Sequence, residues 1–120
     1  MKIVLRFTII MLLISVMFSG CSNDLCSNTE LQRVASPNGE YAAVIFARNC
    51  GATTKEAFHV SIMKPDKKLG NSTGNVYTSY NRVSLDWNGD HAMTITGSAE
   101  GDDVFKAKTK YKKVGITYRK

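Results

Sequence analysis

Apolar and polar residues alternate along most of the chain after residue 30, and turn-forming residues divide this pattern into short segments. A period of two residues is typical of β-strands, and clusters of Pro, Gly, Asn and Asp are typical of turns. The pattern predicts strands at Leu31–Ala35, Tyr41–Arg48, Phe58–Met63, Asn75–Ser79, Arg82–Trp87, Ala92–Thr96, Val104–Tyr111 and Val114–Tyr118. We therefore expect an all-β fold, a small single-domain antiparallel meander of six to eight strands that forms a sandwich or an open barrel.

Three of these strands predict where the core lies. The strand Tyr41–Arg48 is apolar on both faces, which is typical of a central, buried strand. Phe58–Met63 alternates, and we expect His59 and Ser61 to face outward. Trp87 shares a face with Val83 and Leu85, so we expect it to belong to the core rather than to an exposed aromatic ligand surface.

The first 20 residues differ from the rest of the chain. Lys2 and Arg6 lead into Phe7–Phe18, which contains no charged residue. A basic start followed by an apolar stretch of this length is typical of a secretory signal peptide. As a helix, residues 7–20 would span about 21 Å, short of the ~30 Å hydrocarbon core of a bilayer. This length favours a cleaved signal, with an uncleaved signal anchor as the alternative.

The residues Phe18, Ser19, Gly20 and Cys21 resemble the lipobox of bacterial lipoproteins. The resemblance implies a diacylglycerol thioether on the Cys21 sulfur, cleavage before Cys21 and acylation of the new amine by a fatty acid such as palmitate. Two or three acyl chains anchor a protein stably to a membrane. We therefore expect a signal peptide at 1–20, a lipidated polar tether at 21–30 and a β domain at 31–120.

The same resemblance implies a bacterial cell envelope protein, facing the periplasm or the exterior, whose membrane contact is the lipid on Cys21. Ser22 stands where Asp would indicate retention in the inner membrane, which favours the outer membrane in a cell with two membranes. Removal of Lys2 and Arg6 lowers the formal net charge from +6 to +4. Nucleic acid is not expected as a partner outside the cytoplasm.

The remaining positive charge is concentrated at the C-terminus. Its residues are Lys106, Lys108, Lys110, Lys112, Lys113, Arg119 and Lys120. Lysine at alternate positions is typical of a solvated edge strand, where it also prevents edge-to-edge pairing. Contact with anionic lipid headgroups beside the anchor is the alternative.

Cys26 and Cys50 are the two cysteines left once Cys21 carries lipid. An oxidising compartment favours a disulfide between them. Closing a loop of about 25 residues would stabilise the domain by roughly 3 kcal/mol. A free, reactive Cys50 is the alternative.

A turn and strand at Ser36–Tyr41, followed by Cys50, Gly51, Ala52, Thr53 and Thr54, resembles a pattern in a family of small uncharacterised bacterial lipoproteins and secreted proteins. The likeness spans Ser36–Val76, and this chain has Asn38, Asn49 and Lys55 where that family has Asp, Asp and Gly. The resemblance implies the export and the β fold but no activity. Gly51–Thr54 has two interpretations: a structural turn whose hydroxyls bond local backbone, or a candidate interaction loop for a polar ligand or peptide.

Residues suited to catalysis are few. A nucleophile pair of Cys50 and His59 would need a free thiol, and a metal site would need His59 and His91 to meet a carboxylate such as Asp86 or Asp90. We expect no metal and no cofactor. The sequence favours a non-enzymatic structural or protein-interaction module with an envelope protein as partner. An inhibitor or immunity-type lipoprotein and a small thiol or hydrolytic enzyme are the alternatives.

Overall fold

Nine β-strands make up the computed structural model of the protein, which describes residues 3–4, 25–51 and 54–120. They are β1 (Ser27–Ala35), β2 (Ala42–Asn49), β3 (Ala57–Met63), β4 (Tyr77–Ser79), β5 (Ser84–Gly89), β6 (Ala92–Thr96), β7 (Val104–Ala107), β8 (Lys110–Tyr111) and β9 (Val114–Arg119). The predicted all-β class is confirmed. The strand count exceeds eight because the predicted strand at 104–111 is divided into β7 and β8.

The strands form two sheets that are not closed into a barrel. The first sheet has the order β1-β2-β3-β4-β7, and the second has the order β5-β6-β9-β8. The chain forms a meander from β1 to β4, then enters the second sheet, returns for β7 and leaves again. Pairing is antiparallel except between β6 and β9, which are parallel. The architecture is therefore a mostly antiparallel sandwich with crossovers rather than a simple meander.

The core lies between the two sheets. The first sheet and the turns beside it contribute Tyr41, Ala43, Ile45, Val60, Ile62, Val76 and Tyr77, and the second sheet contributes Leu85, Met93, Ile95, Val114 and Ile116. Trp87 packs against this cluster, as predicted, and its Nε1–H donates to the Val34 carbonyl at 2.9 Å. The indole therefore joins the second sheet to the edge strand of the first.

The turn between β1 and β2 uses the expected residues. Gly39 has a φ of +71°, which Gly adopts without steric cost, and its N–H donates to the Ser36 carbonyl.

Glu40 of this turn contacts Lys113 at 2.6 Å and His91 at 3.1 Å, both in turns of the second sheet. Hydrogen bonds from Lys113 and then from His91 lower the pKa of Glu40 to about 2.

Cys26 and Cys50 form a disulfide, as predicted, with their Cα atoms 3.8 Å apart. They flank the Ser27–Asn49 pair, the first pair of the β1–β2 ladder. The bond therefore joins β1 to β2 at one end of their ladder. β1 begins at Ser27, within the segment 21–30 that was predicted as a tether, because Ser27, Asn28, Thr29 and Glu30 pair with β2.

The predicted signal peptide, apart from residues 3 and 4, and the lipidation site Cys21 lie outside the described residues. Among the residues that the structure does describe, no helix combines the length and the apolar character needed to cross a membrane.

His59 and Ser61 lie on the face of β3 that points away from the cluster between the sheets, as predicted, but this face is not exposed to solvent. Their exposed fractions are 3% and 5%, and β3 is buried on both faces from Phe58 to Ile62. The second sheet covers one face of β3. The other face is covered by the connection between β3 and β4.

Candidate functional site

Residues 64–76, here called the strap, connect β3 to β4 across the outer face of the first sheet. Val44 and Phe46 of β2 are fully buried although they are absent from the cluster between the sheets. Phe46 instead lines a groove together with strap residues such as Leu69 and Thr73. The strap therefore provides the second apolar cover that the doubly apolar strand β2 requires.

The middle of the strap is held by side chains of β1 and β2. The Asn28 amide donates to the carbonyls of Gly70 at 3.0 Å and Ser72 at 2.7 Å. Arg48 donates to Asn28 Oδ1 at 2.9 Å and to the Asn71 carbonyl at 3.2 Å. Side chains from β1 and β2 thus bind backbone groups of the strap, which satisfies the hydrogen bonds of an irregular segment.

Asn75 fixes the C-terminal end of the strap. Its side-chain amide makes the hydrogen bonds to β3 that the backbone of a neighbouring strand would make. Its Oδ1 accepts from the Ile62 N–H, and its Nδ2 donates to the Ile62 carbonyl, both at 2.8 Å. The Asn75 N–H donates to Ser61 Oγ at 3.0 Å. One side-chain amide therefore extends the ladder of β3 beyond the end of β4.

His59 lies beneath the strap with its ring stacked on Phe46, the centroids 5.1 Å apart. Its Nδ1 accepts from the Gly74 N–H at 2.9 Å and lies 3.1 Å from Thr78 Oγ1. Burial, and then the positive charges of Arg48 and Lys106, lower the pKa of His59 to about 4. His59 is therefore neutral near neutral pH and acts as a hydrogen-bond acceptor for the strap.

Gly74 permits the close contact between the strap and His59. A Cβ at this position would lie 2.6 Å from the Tyr77 carbonyl oxygen, 2.8 Å from that of Val60 and 2.9 Å from His59 Cβ. Lys106 from β7 donates to the Gly74 carbonyl at 2.8 Å. Only a residue without a side chain fits this position without a shift of backbone.

The two groups considered for nucleophilic chemistry have other roles. The Cys50 sulfur is bonded to Cys26, and His59 Nδ1 is an acceptor for the strap. His91 contacts Glu40 on the surface. In the described ranges, no group of three or more His, Cys, Asp and Glu side chains is arranged to hold a metal ion.

A groove of about 330 Å³ lies where the strap meets the first sheet and the turn between β8 and β9. Its apolar and aromatic lining consists of Tyr41, Phe46, Ile62, Met63, Leu69 and Tyr111. Four lysines also line it: Lys64, Lys67, Lys68 and Lys112. This volume is at the lower end of the range of about 300–1,000 Å³ that is typical of ligand pockets.

The groove is positively charged. All four lysines are exposed, and none of its described lining residues is Asp or Glu. Within the described part of the chain, Glu30 and Glu40 are the carboxylates that form ion pairs. Their partners are Arg33, His91 and Lys113, none of which lines the groove. Among the described residues, no carboxylate forms an ion pair with these four lysines, although Asp66 lies between Lys64 and Lys67 in the strap.

The interaction loop predicted at Gly51–Thr54 is only partly described. Gly51 is exposed with a φ of +131°, and its carbonyl accepts from the N–H and the hydroxyl of Thr54 at 3.2 and 3.0 Å. Ala52 and Thr53 lie outside the described residues. The Thr54 hydroxyl thus bonds local backbone, as the structural interpretation of the turn requires.

An exposed aromatic cluster follows this turn directly. The Lys55 ammonium lies 4.7 Å from the centroid of the Tyr80 ring, and Tyr80 packs edge to face with Phe105 at 4.8 Å. Phe105 is 56% exposed, although it is a large apolar side chain in a strand. We call Lys55, Tyr80 and Phe105 the aromatic cluster.

Sequence reasoning did not identify the strap, the groove or the aromatic cluster. One signal for the strap was present, because a strand apolar on both faces needs cover on both faces and a two-sheet sandwich supplies one. A second signal was the density of lysine at Lys64, Lys67 and Lys68. No local pattern could place Lys112 beside them, because that contact depends on how β8 and β9 pack.

Comparison with known protein families gives a match over residues 1–113, to a family described as a family of unknown function (DUF5412). No match was found among curated proteins or among solved structures.

Proposed function

This chain belongs to a family of unknown function (DUF5412), and on that premise we propose that it is the precursor of a lipid-anchored envelope protein whose β domain is a non-enzymatic interaction module. The lipid would be attached to Cys21 after cleavage of residues 1–20. The domain would face the periplasm or the exterior and would bind an envelope protein.

The disulfide supports export. Disulfides form and persist in oxidising compartments outside the cytoplasm. The Cys26–Cys50 bond begins five residues after Cys21 and joins the tether to the end of β2. A bond at this point would hold the first sheet within a few residues of the lipid anchor.

The structural roles of Cys50 and His59 favour a binding module over an enzyme. Cys50 is oxidised, and His59 holds the strap. Both groups therefore contribute to the stability of the fold. A binding surface needs no activated nucleophile.

The aromatic cluster is the observation that carries the interaction role. Aromatic residues such as Tyr and Phe are enriched at protein interfaces, and Tyr is among the residues that contribute most to the binding energy. Phe105 and Tyr80 stand beside the predicted interaction loop, since Lys55 follows Thr54 directly. The aromatic cluster, which Thr54 precedes directly in the chain, is the candidate surface for an envelope protein.

Lipidation is tested by replacing Cys21 with Ser in cells of the source organism, with Ser22→Ala as the control. We expect the parent and the control to carry the mass of a diacylglycerol and to sediment with membranes. Cys21→Ser should accumulate as an unlipidated precursor or a soluble product. Lipid labelling of Cys21→Ser equal to that of the parent would refute the anchor.

The interaction surface is tested by cross-linking in intact envelopes followed by affinity capture. Phe105→Ala should lose the partner captured by the parent protein. Leu31→Ala is the matched control, because Leu31 is 48% exposed on β1, away from the cluster. Equal capture by the two variants would show that the aromatic cluster is not the interface.

A further inference from the structure

We propose that the groove beneath the strap binds the phosphate-bearing headgroups of anionic phospholipids, so that the domain lies with its strap against the membrane that carries its anchor. This inference rests on the proposed lipid anchor for its biological setting. The groove itself is formed by residues of the β domain, and its lipid binding can be measured without the anchor.

The charge of the groove fits this ligand. Lysine ammonium groups bind phosphate as point charges, and basic residues near an anionic membrane surface each strengthen binding by about fivefold. Lys64, Lys67 and Lys68 come from the strap, and Lys112 faces them from the turn between β8 and β9. Four ammonium groups around one concave surface provide several contacts for one or two phosphates.

The shape of the groove fits an amphiphilic ligand. Apolar side chains, among them Phe46, Met63 and Leu69, line it alongside the lysines. A simple inorganic anion would leave these side chains without a partner. A phospholipid presents a charged headgroup next to an apolar glycerol ester region, which matches the two kinds of lining.

The tether brings the strap to the membrane. The five residues from Cys21 to Cys26 extend over at most about 18 Å. Asn28, two residues further, hydrogen-bonds to Gly70 and Ser72 of the strap. The tether thus enters the domain beside the middle of the strap. The length of β2, about 20 Å or more, separates this point from Lys64, a distance comparable to the reach of the tether.

Anchoring favours a lipid over a soluble anion. A domain held within a short tether of a surface meets the groups of that surface at an effective concentration in the millimolar range. Electrostatic attraction to anionic headgroups acts within about a Debye length, roughly 10 Å at moderate salt. An orientation with the strap against the membrane, as proposed, places the strap lysines within that zone.

The test uses the mature chain from residue 21 with Cys21→Ser, which retains every described strand because these lie between Ser27 and Arg119. Its cosedimentation is measured with phosphatidylcholine vesicles that contain or lack phosphatidylglycerol. We expect binding to the vesicles that contain phosphatidylglycerol only, and we expect added salt to weaken it.

Two variants with equal loss of charge locate the binding. The groove variant combines Lys64→Gln, Lys67→Gln, Lys68→Gln and Lys112→Gln. The control variant combines Lys55→Gln, Arg82→Gln, Arg119→Gln and Lys120→Gln, which do not line the groove. We expect the groove variant to bind vesicles with phosphatidylglycerol more than about tenfold more weakly, and the control variant to retain most of the affinity.

A measurement on the unmutated protein does not depend on whether the variants fold. Vesicles with phosphatidylglycerol should slow the acetylation of the groove lysines and leave that of Lys55 unchanged. Equal loss of binding in both variants, or equal protection of all lysines, would refute a specific groove. Protection by inorganic phosphate at the same phosphate concentration, without vesicles, would assign the groove to soluble phosphate compounds and refute the lipid assignment.

The anchor and the groove can fail separately. The intact mass of the mature protein reports whether Cys21 carries lipid. The vesicle assay with Cys21→Ser reports on the groove alone.

Discussion

At the scale of single residues, His59 shows how the strap depends on one protonation state. Its Nδ1 is an acceptor for the Gly74 N–H, and burial together with Arg48 and Lys106 opposes a charge on the ring. Protonation of Nδ1 would replace this lone pair with a hydrogen and bring a third positive charge beside two others. The hydrogen bond between the strap and His59 therefore requires the neutral form of the ring.

We expect the free energy of unfolding to decrease as the pH falls from about 6.5 to about 4. The unfolded chain takes up a proton on His59 near its ordinary pKa of 6.5, whereas the folded protein does so near 4. The unfolded state thus binds more protons in this window, and the contribution of His59 is complete above it. Urea unfolding at about pH 7 and about pH 5 measures the effect.

His59→Gln is the control for this prediction, because its amide oxygen can accept a hydrogen bond but does not titrate. The variant should lose much of the difference between the two pH values, whatever its absolute stability. A parent protein with equal stability at both values would contradict the assignment.

At the scale of elements, the strap is an irregular segment that covers one face of the first sheet, although most of its own residues are exposed and only Gly74 and Val76 are buried. It covers Val44, Phe46 and His59, and its backbone groups bond to side chains of β1, β2, β3 and β7. Long loops without regular structure in compact domains usually have a function. Here the strap completes the first sheet and carries three lysines of the groove.

Gly74→Ala should displace the strap from the first sheet. The added Cβ would come within 3 Å of two carbonyl oxygens and of His59 Cβ, so that backbone has to move. We expect the free energy of unfolding to fall by about 1–3 kcal/mol, as for other overpacked sites. Denaturant unfolding measures this loss. Hydrogen exchange of the backbone amide at position 74, compared between the parent and the variant, measures the displacement.

Gly70→Ala is the matched control in the same strap. A Cβ at Gly70 meets no atom within 4 Å, and the bond from Asn28 uses the Gly70 carbonyl, which Ala retains. Its effect should stay within about 0.5 kcal/mol. Equal destabilisation by both substitutions would show that the contact with His59 is not what holds the strap.

At the scale of the whole molecule, two sheets and the strap form three layers that meet around β2 and β3. The disulfide connects the edge strand β1 to this arrangement beside the Ser27–Asn49 pair. Glu40, Lys113 and Trp87 connect the two sheets at their margins. The domain therefore depends on contacts between residues that are far apart in sequence.

Removal of the disulfide by Cys26→Ala together with Cys50→Ala should lower the free energy of unfolding by about 3 kcal/mol, because the unfolded chain loses a closed loop of about 25 residues. Urea unfolding with and without reductant tests this. Reductant should destabilise the parent protein and leave the double variant unchanged. Insensitivity of the parent to reductant would contradict the prediction, provided that mass analysis shows the bond to be broken.

Much of the fold follows from the sequence alone. The all-β class, the turn at Gly39, the burial of β2, the core position of Trp87 and the pairing of Cys26 with Cys50 are confirmed by the structure, although β1 begins earlier than predicted and the strand predicted at 104–111 is divided. Each depends on local periodicity, on the φ that a residue type allows or on covalent chemistry. Such features are properties of short segments and need no knowledge of distant contacts.

Tertiary structure alone decided the burial of His59, the parallel pairing of β6 with β9 and the convergence of Lys64 and Lys112 on one groove. The alternation in β3 indicated one buried face, because a period of two describes a strand and not what packs on it. A connecting segment whose hydrogen bonds come from side chains of other strands has no local signature. Its position is set by which distant donors it satisfies, and that is a property of the folded molecule.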